Sequence, residues 1–151
     1  MASKKVKPEI IYLHGDALVP AKSLSYKKDP KTGETKAVPA KTHKFENELK
    51  ADLAKELKNI ERFPTKEDVF VSIIYGFHSK KEFKRCDLDN RAKTILDALE
   101  GPVYDNDSQV RMLWTHKAYL DDKQESFYRI SVKILDEATR IKLANEVANF
   151  I

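Results

Sequence analysis

Cysteine occurs once in the 151 residues, at Cys86. One thiol cannot close an internal disulfide or build a thiolate zinc cluster, and it gives no reason to expect an oxidising compartment; the expected localisation is cytoplasmic. Long apolar runs are also missing. The amino-terminal lysines of Met1 to Lys7 are not followed by an apolar stretch, and no segment is long enough to span a bilayer, so secretion and membrane insertion are not expected. His14, His43, His78 and His116 are scattered without the spacing of a zinc site, and no internal repeat or low-complexity tract appears. What the chain does have is charge: 34% of residues are charged, with net +4. A basic balance of this kind suits a polyanionic partner. The length and a hydrophobic content of 41% suit one domain over 1–151 with one core.

Hydrophobic periodicity predicts an α+β fold with a mixed sheet and helices packed on it. Glu9 to His14 is a short strand, with Ile10, Ile11, Tyr12 and Leu13 suited to burial on both faces. Residues 16–40 lack helical period and contain Pro20, Pro30 and Pro39, with a turn signal at Asp29-Pro30-Lys31-Thr32-Gly33. This long loop carries Lys22, Lys27, Lys28, Lys31 and Lys36 around Tyr26. It reads equally as a solvated hairpin or as a flap against nucleic acid.

Phe45, Leu49, Leu53, Leu57 and Ile60 recur on one face of a helix over 42–60. Strict alternation over 68–77 (Val69, Val71, Ile73, Tyr75, Phe77) predicts the central strand. The basic run Lys80, Lys81, Lys84, Arg85 follows it as a strand exit. A short helix over 90–100 is capped by Asp89 or Asn90 and stopped by Gly101-Pro102, with Ala92, Ile95, Leu96 and Leu99 inward. Two further strands, 110–120 and 127–135, are joined by an expected hairpin turn at Asp121-Asp122-Lys123-Gln124. The first places Val110, Met112, Trp114, Ala118 and Leu120 on one side. A last helix over 137–151 has Ile141, Ala144, Val147, Ala148 and Ile151 as its stripe.

The chemistry concentrates between Cys86 and Gln109, where acids crowd into a basic chain. Asp87 and Asp89 are two apart at the junction of a strand-like and a helix-like run, and Asp107 opens the next strand. Carboxylates this close repel unless a cation or water relieves them, and hard divalent ions such as Mg2+ are held by one or a few carboxylates plus waters, with phosphate oxygens completing the shell. A calcium loop is excluded, because neither acidic stretch has the glycine and the terminal glutamate at EF-hand spacing. The plainer account makes Asp89 a helix cap and Lys93 part of an Asp89–Lys93–Asp97 surface ladder.

Asp87-Leu88-Asp89-Asn90, then Lys93, then Leu96-Asp97-Ala98-Leu99 with Gly101, then Asp107-Ser108-Gln109-Val110, resembles the signature of the RusA-type Holliday junction resolvases. The resemblance implies a homodimeric endodeoxyribonuclease of phages and prophages, dependent on Mg2+ or Mn2+, that resolves four-way DNA junctions by paired nicks in recombination and repair. It places the metal ligands on Asp87, Asp89 and Asp107 and the catalytic lysine on Lys93. Lys84, Arg85, Arg91, Lys22, Lys27 and Lys28 would grip flanking phosphates. Asn106 stands where many members have a further aspartate, and Cys86 where a basic residue often precedes the first one. The other readings are a DNA-binding or regulatory protein without cleavage, and a nuclease for flaps, forks or RNA.

Overall fold

The structure, a computed structural model, describes residues 10–17, 19–20, 25–38, 41–120 and 125–150. Its elements are β1 (Ile10–Gly15), β2 (Ser25–Lys28), β3 (Thr35–Val38), α1 (Lys41–Leu57), β4 (Val69–Phe77), α2 (Lys80–Arg85), α3 (Leu88–Leu99), a 3-10 turn (Asp107–Gln109), β5 (Val110–Tyr119), β6 (Phe127–Ile134) and α4 (Glu137–Phe150). The α+β class and the carboxy-terminal helix expected from periodicity are both present.

The main sheet has the order β1-β6-β4-β5. β4 takes the interior position that its alternation predicts, antiparallel to β6 and parallel to β5. A parallel neighbour needs a crossover, and α2 and α3 supply it. The expected hairpin between the last two strands does not form, because β4 lies between β5 and β6. The reason is that β4 buries Val69, Val71, Ile73, Tyr75 and Phe77, so covering both of its edges satisfies the most apolar strand; the turn residues 121–124 lie outside the described residues. The long loop does contain a hairpin. β2 pairs β3 antiparallel, and the Asp29-to-Gly33 turn is closed by Gly33 N–H donating to Asp29 O at 2.9 Å, with Gly33 at φ +70°.

One face of the sheet is packed under helices. Leu49, Leu53 and Leu57 of α1 and Ala92, Ile95, Ala98 and Leu99 of α3 form a single core with Val71, Ile73, Ile130 and Val132. On the other face Tyr12, Ile74 and Trp114 are exposed, and no described helix covers them. A register shift between Val69 and Phe70 decides which residues of β5 point where. Val110, opposite Val69, packs on the core, whereas Met112 and Trp114 come opposite Phe70 and Ser72. A bulge of this kind reverses the facing of the residues after it. Trp114 is therefore exposed (67%). Helix α4 buries none of its residues.

Candidate metal and phosphate site

The basic run after β4 is a helix, α2, begun by Ser79, whose hydroxyl accepts from Glu82 N–H. Because α2 intervenes, Asp87 and Asp89 do not project from a strand end. α3 begins two residues earlier than its apolar spacing suggests. Asp87, rather than Asp89 or Asn90, is the residue at its N-cap, and its side chain makes no capping bond. Both carboxyls are exposed and face each other. The hydrogen bond to Asp89, with some desolvation and the Asp89 charge, raises the Asp87 pKa. The same bond, with Asn90 N–H donating to Asp89 Oδ1 at 3.0 Å, lowers that of Asp89. The neighbouring carboxyls thus push each other's pKa in opposite directions, as close acids do.

Asp107 belongs to the turn before β5. Asn106 caps that turn, accepting from Ser108 N–H, and Gln109 completes a capping box. Gln109 is a residue whose importance the sequence reading overlooked. Its Oε1 accepts from the amides of Asp105 and Asn106 (2.9 and 3.1 Å), and its Nε2 donates to the carbonyls of Thr65 and Glu67 (2.9 and 2.8 Å). The signal was legible as the Asn106-to-Gln109 spacing of a capping box.

Lys93 joins the two halves. Its ammonium is 2.8 Å from Asp97 Oδ1 and 3.1 Å from Asp107 Oδ2, and these two partners raise its pKa, Asp97 first. The ladder expected along α3 is present in its Lys93–Asp97 rung. Among the described residues no three His, Cys, Asp or Glu side chains converge as metal ligands. Asp87 and Asp89 are brought together, and Asp107 is held on Lys93. A hard divalent ion needs only one or two carboxylates when phosphate oxygens complete its shell, so the pair fits Mg2+ or Mn2+. Beneath the site Tyr104 is fully buried, its hydroxyl donating to Leu96 O at 2.8 Å. Burial, and then the charge of Asp107, raises its pKa.

The chain belongs to the RusA endodeoxyribonuclease family. The family model described as endodeoxyribonuclease RusA matches residues 17–143, nearly the whole chain, including every aspartate above. A comparison with curated proteins returned no match.

Around this RusA-family site, the expected phosphate-binding residues fall in different places. Lys84 and Arg85 are exposed on α2, and Lys28 is exposed at the end of β2. Lys22 lies outside the described residues, as does the side chain of Lys27. Arg91 turns inward: it donates to the carbonyl of Val19, and its guanidinium carbon sits 5.4 Å from the centre of the Phe77 ring. With Thr94, whose hydroxyl donates to Pro20 O at 3.0 Å, it ties the start of the long loop to α3. His14 and His78 find local partners in Asp16 and Ser126.

Lys117 on β5 is the other overlooked residue. It donates from Nζ to the carbonyls of Phe83 and Cys86 at 2.9 and 3.1 Å and lies 4.8 Å from the centre of the Phe83 ring. It closes the carboxy-terminal end of α2, where unpaired carbonyls favour a cation. Cys86 is buried, and desolvation raises its thiol pKa.

Proposed function

We propose that this chain is a structure-selective endodeoxyribonuclease that nicks four-way DNA junctions in pairs, as a cytoplasmic homodimer dependent on Mg2+ or Mn2+, in recombination and repair. The observation that carries the reading is the Asp87–Asp89 pair at the first turn of α3, one and two turns from Lys93 and Asp97, with Asp107 brought beside Lys93. Asp87 and Asp89 would supply two carboxylates to the ion, and Asp107, 3.1 Å from the Lys93 ammonium, would become a third on leaving Lys93. The bound ion would activate a water and stabilise the leaving oxygen.

The chain's own groups do the rest. Gln109 fixes the turn that presents Asp107, and Lys117 fixes the turn that presents Asp87. Lys93 stands ready to exchange a carboxylate partner for a phosphate oxygen, placing a positive charge against the transition state. Lys84, Arg85 and Lys28 bind flanking phosphates without reading sequence. Arg91 is given a structural task instead, since its guanidinium already serves Val19 and Phe77.

A DNA-binding protein without cleavage is the second reading, favoured by the engagement of Lys93 with two carboxylates. Labelled linear, forked and four-way DNA incubated with the full chain in Mg2+ and then EDTA separates the two. Symmetric nicks in the four-way substrate that vanish in EDTA support the nuclease. Junction binding without nicks in Mg2+, or with Mn2+ in its place, removes it.

A further inference from the structure

The open face of the sheet carries exposed aromatic rings in register with one another. Tyr12 pairs with Ser131, Ser131 with Ser72, and Ser72 with Trp114, so one row crosses all four strands. Its ends are the two rings, 75% and 67% exposed, and its middle is two small hydroxyls 3.1 Å apart. Three strand spacings set the ends about 14 Å apart. The next row is His14, Arg129, Ile74 and His116. Between the rows lies a shallow depression of about 220 Å3, lined by Ser72, Ile73, Ile74, Trp114 and His116.

The formal charges that the strands bring to this face are Arg129 and Lys133 of β6, both positive, and the strands send no carboxylate to this side; His14 beside them accepts at Nδ1 from Arg129 Nε at 3.4 Å. Asp16, at the corner, is paired with His14 at 2.8 Å. Arg129 also lies over the Phe127 ring, 5.2 Å from its centre, and His14 stacks on the same ring. Two such faces from two copies would set cations against cations, which disfavours a second copy as the occupant. Exposed rings separated by small polar residues, with Arg129 and Lys133 beside them, are what unpaired bases and their phosphates require.

We infer that this face binds an unpaired DNA strand, with bases stacked on Trp114 and Tyr12 and phosphates on Arg129 and Lys133. The path from the candidate site is short in topology. Trp114 lies on β5, the edge strand of the sheet, and Asp107 sits in the turn that enters the same strand. A strand leaving the carboxylates therefore passes round the β5 edge onto the indole. The inference adds a substrate class, DNA with a single-stranded arm, and it rests on the nuclease reading only in choosing DNA over RNA.

Trp114 is the single tryptophan of the chain, so its fluorescence reports this face alone. The full chain is titrated in EDTA with a short oligothymidylate, the matching oligouridylate, and a blunt duplex of equal length. The expected result is saturable quenching by the oligothymidylate, weak quenching by the other two, and oligothymidylate affinity lowered roughly tenfold in both Trp114→Ala and Tyr12→Ala, the latter still read by Trp114. Trp114→Ala affinity is read by anisotropy of labelled strand. Unchanged emission throughout the oligothymidylate titration overturns the inference, even if junctions are cleaved. So does a blue shift that follows protein concentration without DNA, since a second copy then covers the face. Quenching in a chain that never cleaves removes the nuclease and leaves the strand-binding face.

Discussion

The ammonium of Lys117 lies 3.1 Å from the carbonyl oxygen of Cys86, the residue that immediately precedes Asp87. The two are 31 positions apart in sequence, and their contact couples the edge strand to the first metal-ligand candidate. Replacing Lys117 with methionine keeps the stem over the Phe83 ring and removes both carbonyl contacts. Loss of charge-assisted bonds at a half-buried site costs about 2 kcal/mol. Lys117→Met is expected to lower the melting temperature by several degrees and junction cleavage by roughly tenfold. Lys117→Arg, which can still reach a carbonyl, should recover part of both. Thermal melts and single-turnover cleavage measure the pair, and a Lys117→Met enzyme with wild-type cleavage would detach Lys117 from the site.

Asp107→Asn preserves shape and removes a hard oxygen ligand. It also releases Lys93 from one of its two carboxylates. Cleavage should fall by on the order of a hundredfold or more, while stability changes by less than about 1 kcal/mol, because the Lys93–Asp107 pair is solvent-exposed. Junction affinity in EDTA should hold or rise, since one negative charge leaves the phosphate path. Near-normal cleavage would take Asp107 out of the site.

Gln109→Leu has the opposite balance. It is nearly isosteric, yet it leaves the amides of Asp105 and Asn106 and the carbonyls of Thr65 and Glu67 without their partner. Denaturant unfolding should show a loss of about 2–3 kcal/mol, and Gln109→Glu, which retains only the acceptor half, an intermediate loss. An unaffected midpoint for Gln109→Leu would mean that water replaces the side chain at no cost.

Asp136 caps α4, accepting from Thr139 N–H at 2.7 Å, and that contact lowers its pKa. A carboxyl whose folded pKa lies below its unfolded value, near 3.9, stabilises the folded form above that value and ceases to as pH falls through the folded pKa. Helix α4 should therefore fray below about pH 4 while the core persists. Amide shifts of residues 137–150 in an acid titration test this, with Asp136→Ala expected to fray at neutral pH and to lose the acid step.

The sequence by itself determined the local elements whose residues repeat with a clear period. Val69 to Phe77 could only be a strand with one buried side, and Leu49, Leu53 and Leu57 could only be one helical face, because side-chain direction follows from backbone repeat alone. It also determined the acidic stretch, since Asp87, Asp89, Lys93 and Asp107 stand out against a basic chain at any conformation. Where the period was broken or polar, the three-dimensional fold decided. Charges hid α2, because helix capping by Ser79 and packing of Phe83 count for more there than apolar spacing. The partner of β5 was settled by burial of β4, a competition among strands that no single strand records. The bulge at Val69 and Phe70 turned Trp114 outward, and a register shift leaves no mark on composition. The tasks of Gln109, Lys117 and Arg91 depend on carbonyl oxygens 31 to 72 residues away. A backbone acceptor has no residue type, so only folding can show which side chain it receives.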